Sequence, residues 1–196
     1  TEANNLALFG GAYAKKRSGN HIISTSVEHA SVYNPLIFLE EQGFEVTYLS
    51  VDANGRISLE ELKNRLRKDT ILVTIMLANN VVGSILNIQE LAKAAHKHHI
   101  LFHTDAGQAV GHIPLNIRKL GVDFLSVSAH KFNGPKGVGI LYCRIPYRLP
   151  AFLTGGGQEK EGRSGTENVP GIVGFGKAFE VTTRDYTVSS KKLKML

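Results

Sequence analysis

The sequence has little cysteine, no long apolar run and no internal repeat, and each shortage narrows what the chain can be. Cys143 is its sole cysteine, so no disulfide can close within the chain, and a reducing compartment, cytosol or organelle matrix, is the expectation. Apolar stretches such as "ILVTIMLANN" and "VDFLSVS" are interrupted by polar residues well short of the ~20 residues a membrane helix needs. The chain opens on Thr1, with neither methionine nor a charged-then-apolar leader, which reads as the interior of a longer frame rather than a secretory start. Low-complexity segments are absent as well.

What is present is an ordinary globular balance: 196 residues, 42% hydrophobic and 20% charged, enough for one sizeable core. The formal charge of +6 admits nucleic acid or a small anionic ligand as partner. Its distribution favours the small ligand. "AKKR" (14–17), "KNRLRK" (63–68) and "KKLK" (191–194) each close a helical pattern, where cations offset the helix dipole and face water. Neither nucleic acid nor membrane is the expected partner.

Apolar runs alternate with helical patterns in the manner of an α/β sheet. Helices are expected in "TEANNLALFGGAYAKKR", "HASVYNPLIFLEEQGF", "SLEELKNRLRK" and "NIQELAKAAHKHH". In the second, Leu36, Leu39 and Phe44 lie on or near the inward side; in the third, Ser58 with Glu61 makes a capping box. Strands are expected in "HIISTS", "EVTYLSV", "TILVTIML", "ILFHTDAG", "VDFLSVSAHK" and "GVGILYCR", the last a candidate antiparallel neighbour. The domain is expected over 1–181, with 182–196 a weakly patterned tail. Asn79-Asn80, His103-Thr104-Asp105 and Ser128-Ala129-His130-Lys131 are polar ends of apolar strands. In open α/β sheets, ligands bind beyond the carboxyl ends of strands, so these ends can converge on one site.

Lys131, just past a buried strand and beside His130, is expected to lose part of its ammonium's solvation and to act as a Schiff-base nucleophile. Asp105 has a specific use beside such a lysine: it can pair with the pyridine nitrogen of pyridoxal phosphate and keep that nitrogen protonated. Gln108 lies close enough to reach the ring's phenolic oxygen. Ser128, His130 and the helix start at Thr1 are donors for a phosphate, and His29 offers a flat ring at the opening of a helix. Competing readings are weaker. His96, His98, His99, His103, Asp105 and His130 lack a compact ligand spacing, so no metal is expected. "GPKGVG" precedes a strand instead of joining strand to helix, which defeats a dinucleotide fingerprint; Gly134 and Gly137 fit a tight turn beside the lysine.

Taken together, "TEANN", "EHASV", "LANN", "HTDAGQAVG", "SAHKFNGPKGVG" and "GGGQEKEGRSGTENVPGIVG" resemble the large domain of the cysteine desulfurase and selenocysteine lyase family. These are fold type I, class V aminotransferase enzymes dependent on pyridoxal phosphate. The resemblance covers all but the tail. It implies a mixed, mostly parallel sheet flanked by helices, incomplete at both ends and lacking the small domain, and a homodimer acting on L-cysteine or L-selenocysteine. A sulfur-acceptor protein and a place in iron–sulfur cluster assembly come with it. By position it makes Lys131 the lysine that joins the cofactor's aldehyde and carries a proton between substrate and cofactor. Thr1, Ser128 and His130 would hold the phosphate, with Thr166 reaching the phosphate of the neighbouring subunit. Asp105 would pair with the pyridine nitrogen and Gln108 with the phenolic oxygen. His29 would stack on the ring and assist proton transfer, and Asn80 would lie between cofactor and substrate carboxylate. Two departures stand out. Val81 occupies a position where the family usually carries an acid, which bears on how the Asn80 loop is held. The family's persulfide-forming cysteine is expected beyond Leu196, because Cys143 reads as a small buried hydrophobe in a strand. A truncated dimerisation module without activity is the alternative to an enzyme.

Overall fold

The computed structural model describes residues 1–193, with side chains described through 184 and at 186. Six strands form one sheet in the order β2-β1-β3-β4-β5-β6. They are β1 (His21–Thr25), β2 (Glu45–Leu49), β3 (Thr70–Thr74), β4 (Leu101–Asp105), β5 (Phe124–Ser128) and β6 (Gly139–Cys143). The first five run parallel, and β6 returns antiparallel to β5, pairing Ser128 with Gly139. Every strand expected from sequence is present, including the antiparallel last one.

β1 and β3 are buried along their whole length, and β4 and β5 at all but the last residue, which explains their near-continuous aliphatic and aromatic sequences. Alternation along each strand then sorts side chains between two cores. Ile22, Leu72, Leu101 and Phe124 pack beneath α1 (Glu2–Lys15) and α2 (Ala30–Glu41), with Leu8, Val32, Leu36, Leu39 and Phe44. Ile23, Val73, Phe102 and Leu125 pack on the other face with Leu62 of α3 (Leu59–Arg65) and Leu91 of α4 (Ile88–His96). Ser58 caps α3 by accepting from the Glu61 backbone N–H at 2.9 Å, half of the expected capping box. A short α5 (Ile117–Leu120) leads into β5.

The face under α1 turns polar toward the carboxyl ends of the strands. In β4, Leu101, His103 and Asp105 share that face by the two-residue period. His103 is fully buried and bonded on both ring nitrogens, to Thr74 Oγ1 and Ser126 Oγ at 2.8 Å each. The imidazole thus bridges three adjacent strands before the sheet opens onto Asp105. Burial lowers the His103 pKa to about 4, so the ring is neutral and spends both nitrogens on this structural cross-link. His96 is likewise committed, to the buried Asp123 at 2.8 Å.

The last helix, α6, runs from Val169 to Leu193. It continues through position 181 into the segment read as a weakly patterned tail. Gly171, Gly174 and Gly176 dilute its helical pattern in sequence, while Phe175 and Phe179 pack edge-on against Phe132 and so fix its course beside the lysine turn.

Candidate active site

A cavity of about 270 Å³ lies beyond the carboxyl ends of the central strands, where the strand order reverses between β1 and β3. It is lined by Thr1, His29, Asn80, Asp105, Gln108, Ser128, His130 and Lys131, together with Asn4, Ser31 and Met76 among others. All the site residues expected from sequence converge there except Thr166, which is exposed on the loop before α6. A larger groove of about 840 Å³ between α1, α2 and the segment around Phe152 shares Thr1, His29 and Ser31 with the cavity. Its lining is mainly apolar, without carboxylate or lysine, so the chemistry belongs to the smaller cavity.

Each side chain is placed by a local device. Thr1 occupies the N-cap position of α1 with its hydroxyl not spent on a cap bond, and the first turn of that helix opens on the cavity through Thr1, Ala3 and Asn4, bringing unpaired backbone N–H groups with it. His29 is the N-cap of α2; its Nδ1 accepts from the Ser31 backbone N–H at 3.1 Å and lies 2.8 Å from Ser31 Oγ. Asp105 ends β4, and each of its carboxylate oxygens takes a bond: Oδ1 from the Gly107 N–H and Oδ2 from Asn4 Nδ2, both 2.8 Å.

Beyond Ser128, the chain turns through a 3₁₀ segment, Ala129–Phe132, which carries His130 and Lys131 to the cavity. The turn is pinned from outside by His112 Nε2, which donates to the Lys131 carbonyl at 3.0 Å. Gly134 closes it, because a Cβ there would sit 2.8 Å from the Ala129 carbonyl, and Gly137 follows at φ +76. Lys131 itself is exposed. The expectation that apolar neighbours take its ammonium out of water is therefore corrected: the strand before it is buried, but the 3₁₀ turn lifts the side chain clear of the core.

The Asn80 loop is held without an acid. Asn79 Oδ1 accepts from the backbone N–H groups of Val81 and Val82 at 2.8 and 3.0 Å, and its Nδ2 donates to the Val27 carbonyl at 3.2 Å. Val81 is 83% exposed, so its side chain takes no part in shaping the loop. On the far side, Arg163 forms a two-bonded ion pair with Glu2 at 2.7 and 3.3 Å and ties the glycine-rich segment to the start of α1. Cys143 is half-buried in β6, away from the cavity, and burial pushes its thiol up, which makes it a poor nucleophile.

Three functional neighbours escaped the sequence reading. Asn4 stands three residues after Thr1, a helical spacing that places both on one side of α1, and this was the available signal. Ser31 had none beyond its place after His29. Glu28, from the same "EHASV" block, tucks its Oε1 under the site to accept from Thr25 Oγ1 at 2.7 Å and the Met76 N–H at 2.9 Å, while Oε2 is enclosed without a partner. Burial raises this carboxyl to about 8, so the folded protein keeps a proton there that the unfolded chain releases above its ordinary value of 4.5. Stability from this group is full below that value and lost as pH rises through about 8. Glu28→Gln keeps the Oε1 acceptor and removes the titration. Its stability relative to the parent, from urea melts, is expected to rise by about 3–4 kcal/mol between about pH 5 and about pH 8.

The aminotransferase class-V family model matches residues 1–194. The chain belongs to the class-V aminotransferase family. Cysteine desulfurase IscS of Dictyoglomus turgidum is 53% identical over the whole chain, and that of Methanosarcina thermophila is 50% identical. The chain spans about half the length of these curated relatives, 50% and 48% respectively. Among solved structures, a NifS-like protein superposes with a TM-score of 0.94 at 42% identity, covering 97% of this chain and 53% of that one. SspA in complex with cysteine follows a similar course, with a TM-score of 0.87 and 41% identity over 91% of this chain and 52% of that one. As in the fold type I large domain, the sheet is mixed and mostly parallel with helices on both faces.

Class-V aminotransferases and cysteine desulfurases depend on pyridoxal phosphate, and the cavity's donor set fits that molecule. Hydroxyls, an imidazole and a helix N-terminus gather at Thr1, Ser128 and His130, as a phosphate dianion requires. A carboxylate stands at Asp105 for a cationic ring N–H, and Lys131 lines the same cavity with an amine for an aldehyde.

Proposed function

We propose that the protein is a cysteine desulfurase that uses pyridoxal phosphate to remove sulfur from L-cysteine and leave L-alanine. The observation that carries this reading is the convergence of Lys131, Asp105 and the phosphate donors on a single cavity. Relatives named cysteine desulfurase and a structural neighbour described with cysteine support the substrate. When bound, the cofactor supplies an aldehyde for amines and a protonated ring that accepts electrons from the substrate.

The chain's own residues then divide the work. Thr1, Ser128, His130 and the N-terminus of α1 anchor the phosphate, while Asp105 holds a proton on the ring nitrogen by its negative charge. Lys131 provides the nucleophilic amine and, once displaced by substrate, takes the proton from its α carbon. Gln108 donates to the phenolic oxygen. His29, on the opposite wall, covers the ring face and exchanges a proton with substrate. Asn80 binds between cofactor oxygen and substrate carboxylate.

The Cβ–S bond of cysteine breaks when a thiolate attacks the sulfur; sulfur passes to that thiolate as a persulfide and the carbon skeleton leaves as alanine after protonation. Cys143, in a strand and outside the cavity, is poorly placed to be that thiolate, which supports a sulfur acceptor other than Cys143. Thr166, exposed and outside the lining of its own cavity, serves the phosphate of a second subunit in a homodimer. No helix among the described residues is long and apolar enough to cross a membrane. The sole cysteine favours a reducing compartment, the cytosol or an organelle matrix, in this reading.

The test is product analysis. Incubation with L-cysteine, pyridoxal phosphate and dithiothreitol as the thiol that accepts sulfur is expected to yield alanine in step with sulfide, with L-selenocysteine as a parallel substrate. Turnover of selenocysteine alone would reassign the protein as a selenocysteine lyase, and turnover of neither would leave a cofactor-binding dimerisation module.

A further inference from the structure

Asn4 is 3% exposed, lies on the first turn of α1, and has an amide shared between two walls of the cavity. Its Nδ2 donates to Asp105 Oδ2 and to Ser31 Oγ, each at 2.8 Å. Its Oδ1 is enclosed and has no partner. The orientation is dictated by chemistry: a carboxylate only accepts, so turning the amide over would press Oδ1 against an anionic oxygen. A buried oxygen without a bond carries a desolvation cost. The position tolerates that cost in exchange for both amide hydrogens.

With Asp105 Oδ1 taken by the Gly107 N–H and Oδ2 by Asn4, the carboxylate is fixed at both oxygens and cannot swing about its last torsion. The second amide hydrogen acts on the other wall. Because Ser31 Oγ accepts from Asn4, its own hydrogen is free for His29 Nδ1, 2.8 Å away, where the Ser31 backbone N–H also arrives. Nδ1 is thus an acceptor, and a neutral His29 carries its proton on Nε2.

We infer that Asn4 is a positioning residue that aims the Asp105 carboxylate and, through Ser31, sets the ring of His29 from the same amide. The inference rests on the reading of Asp105 and His29 given above, and no other polar side chain of the described residues touches both walls. Its physical logic is that of an outer ligand that orients an inner one. One amide keeps in register the group that would meet the ring nitrogen and the group that would cover the ring face.

The test is made on cofactor-free protein, so that it stands apart from the cofactor assignment. Carboxyl ¹³C NMR of aspartate-labelled protein follows Asp105, assigned by its loss in Asp105→Asn. Asn4→Asp keeps the size but sets a second carboxylate against the first, and is expected to move the Asp105 midpoint upward by about one unit or more. Ser31→Ala leaves that midpoint in place but changes the ¹⁵N resonance of His29 Nδ1, and Asn4→Ala changes both. An Asp105 midpoint unmoved in Asn4→Asp, or a His29 resonance that responds to Ser31→Ala but not to Asn4→Ala, overturns the assignment. Should Asn4→Ala fail to fold, the isosteric Asn4→Asp decides. Cofactor uptake, read separately by absorbance, reports on the underlying site.

Discussion

Lys131→Ala is expected to lower alanine formation from L-cysteine by about 10³-fold or more, while the protein still takes up pyridoxal phosphate without covalent attachment. The amine has two tasks in the proposed chemistry, as the nucleophile that joins the aldehyde and as the base at the substrate α carbon, and general-base removal alone is worth about 10²–10⁴-fold. Retention of the cofactor follows from the phosphate donors: Thr1, Ser128, His130 and the helix N-terminus hold the phosphate without help from the amine. Stability is expected to stay near that of the parent, because Lys131 is exposed and makes its recorded bond through its backbone carbonyl, to His112. Absorbance and steady-state kinetics on the same preparation separate the two effects. An unchanged rate would remove Lys131 from the chemistry; loss of uptake with the rate would make it an anchor.

Asp105→Asn is expected to cost about 10²–10³-fold in turnover, the range seen when one preorganised electrostatic partner is deleted. The substitution preserves size and leaves an oxygen for the Gly107 N–H, but it withdraws the charge that keeps the ring nitrogen protonated and presents an NH₂ to the Asn4 amide. The loss should fall on kcat more than on KM, since the ring's capacity to hold electrons matters in the transition state and not in substrate binding. A cofactor analogue with a permanently charged ring nitrogen should restore much of the rate to Asp105→Asn and little to Lys131→Ala. Equal rescue of both would show that Asp105 acts merely as a contact.

How far these residues were legible in the sequence depended on how local their placement is. Asp105 and Ser128 were legible because β4 and β5 are short apolar runs that end in polar residues, and the sheet converts that pattern into a common rim. His29 was legible as a helix start, and the structure makes it the N-cap of α2. Lys131 was identified correctly as a member of the cavity but for an incomplete reason. Its neighbours in sequence are apolar, yet the 3₁₀ turn points the chain outward, and the direction of such a turn is set by Gly134, Asn133 at φ +65 and the His112 contact, not by hydropathy. Asn4 and Glu28 were missed because their partners, Asp105 and Met76, lie 101 and 48 residues away in the chain. Nor does composition reveal the first half of α6, where packing of Phe175 and Phe179 on Phe132 overrides a glycine-diluted pattern. Val81 illustrates the reverse. Its departure from the family's acid suggested a disturbed loop, while the Asn79 side chain bonds the Val81 and Val82 N–H groups and Ser84 ties the loop to the Gly55 carbonyl.

The central claim is that one amine on the turn after β5 joins a pyridoxal aldehyde in this cavity. Borohydride reduction of cofactor-loaded protein, followed by proteolysis and mass spectrometry, tests it directly. The account predicts a pyridoxyl mass increment confined to the peptide that contains Lys131. An increment on any other lysine, or on none in protein shown by absorbance to hold the cofactor, contradicts it.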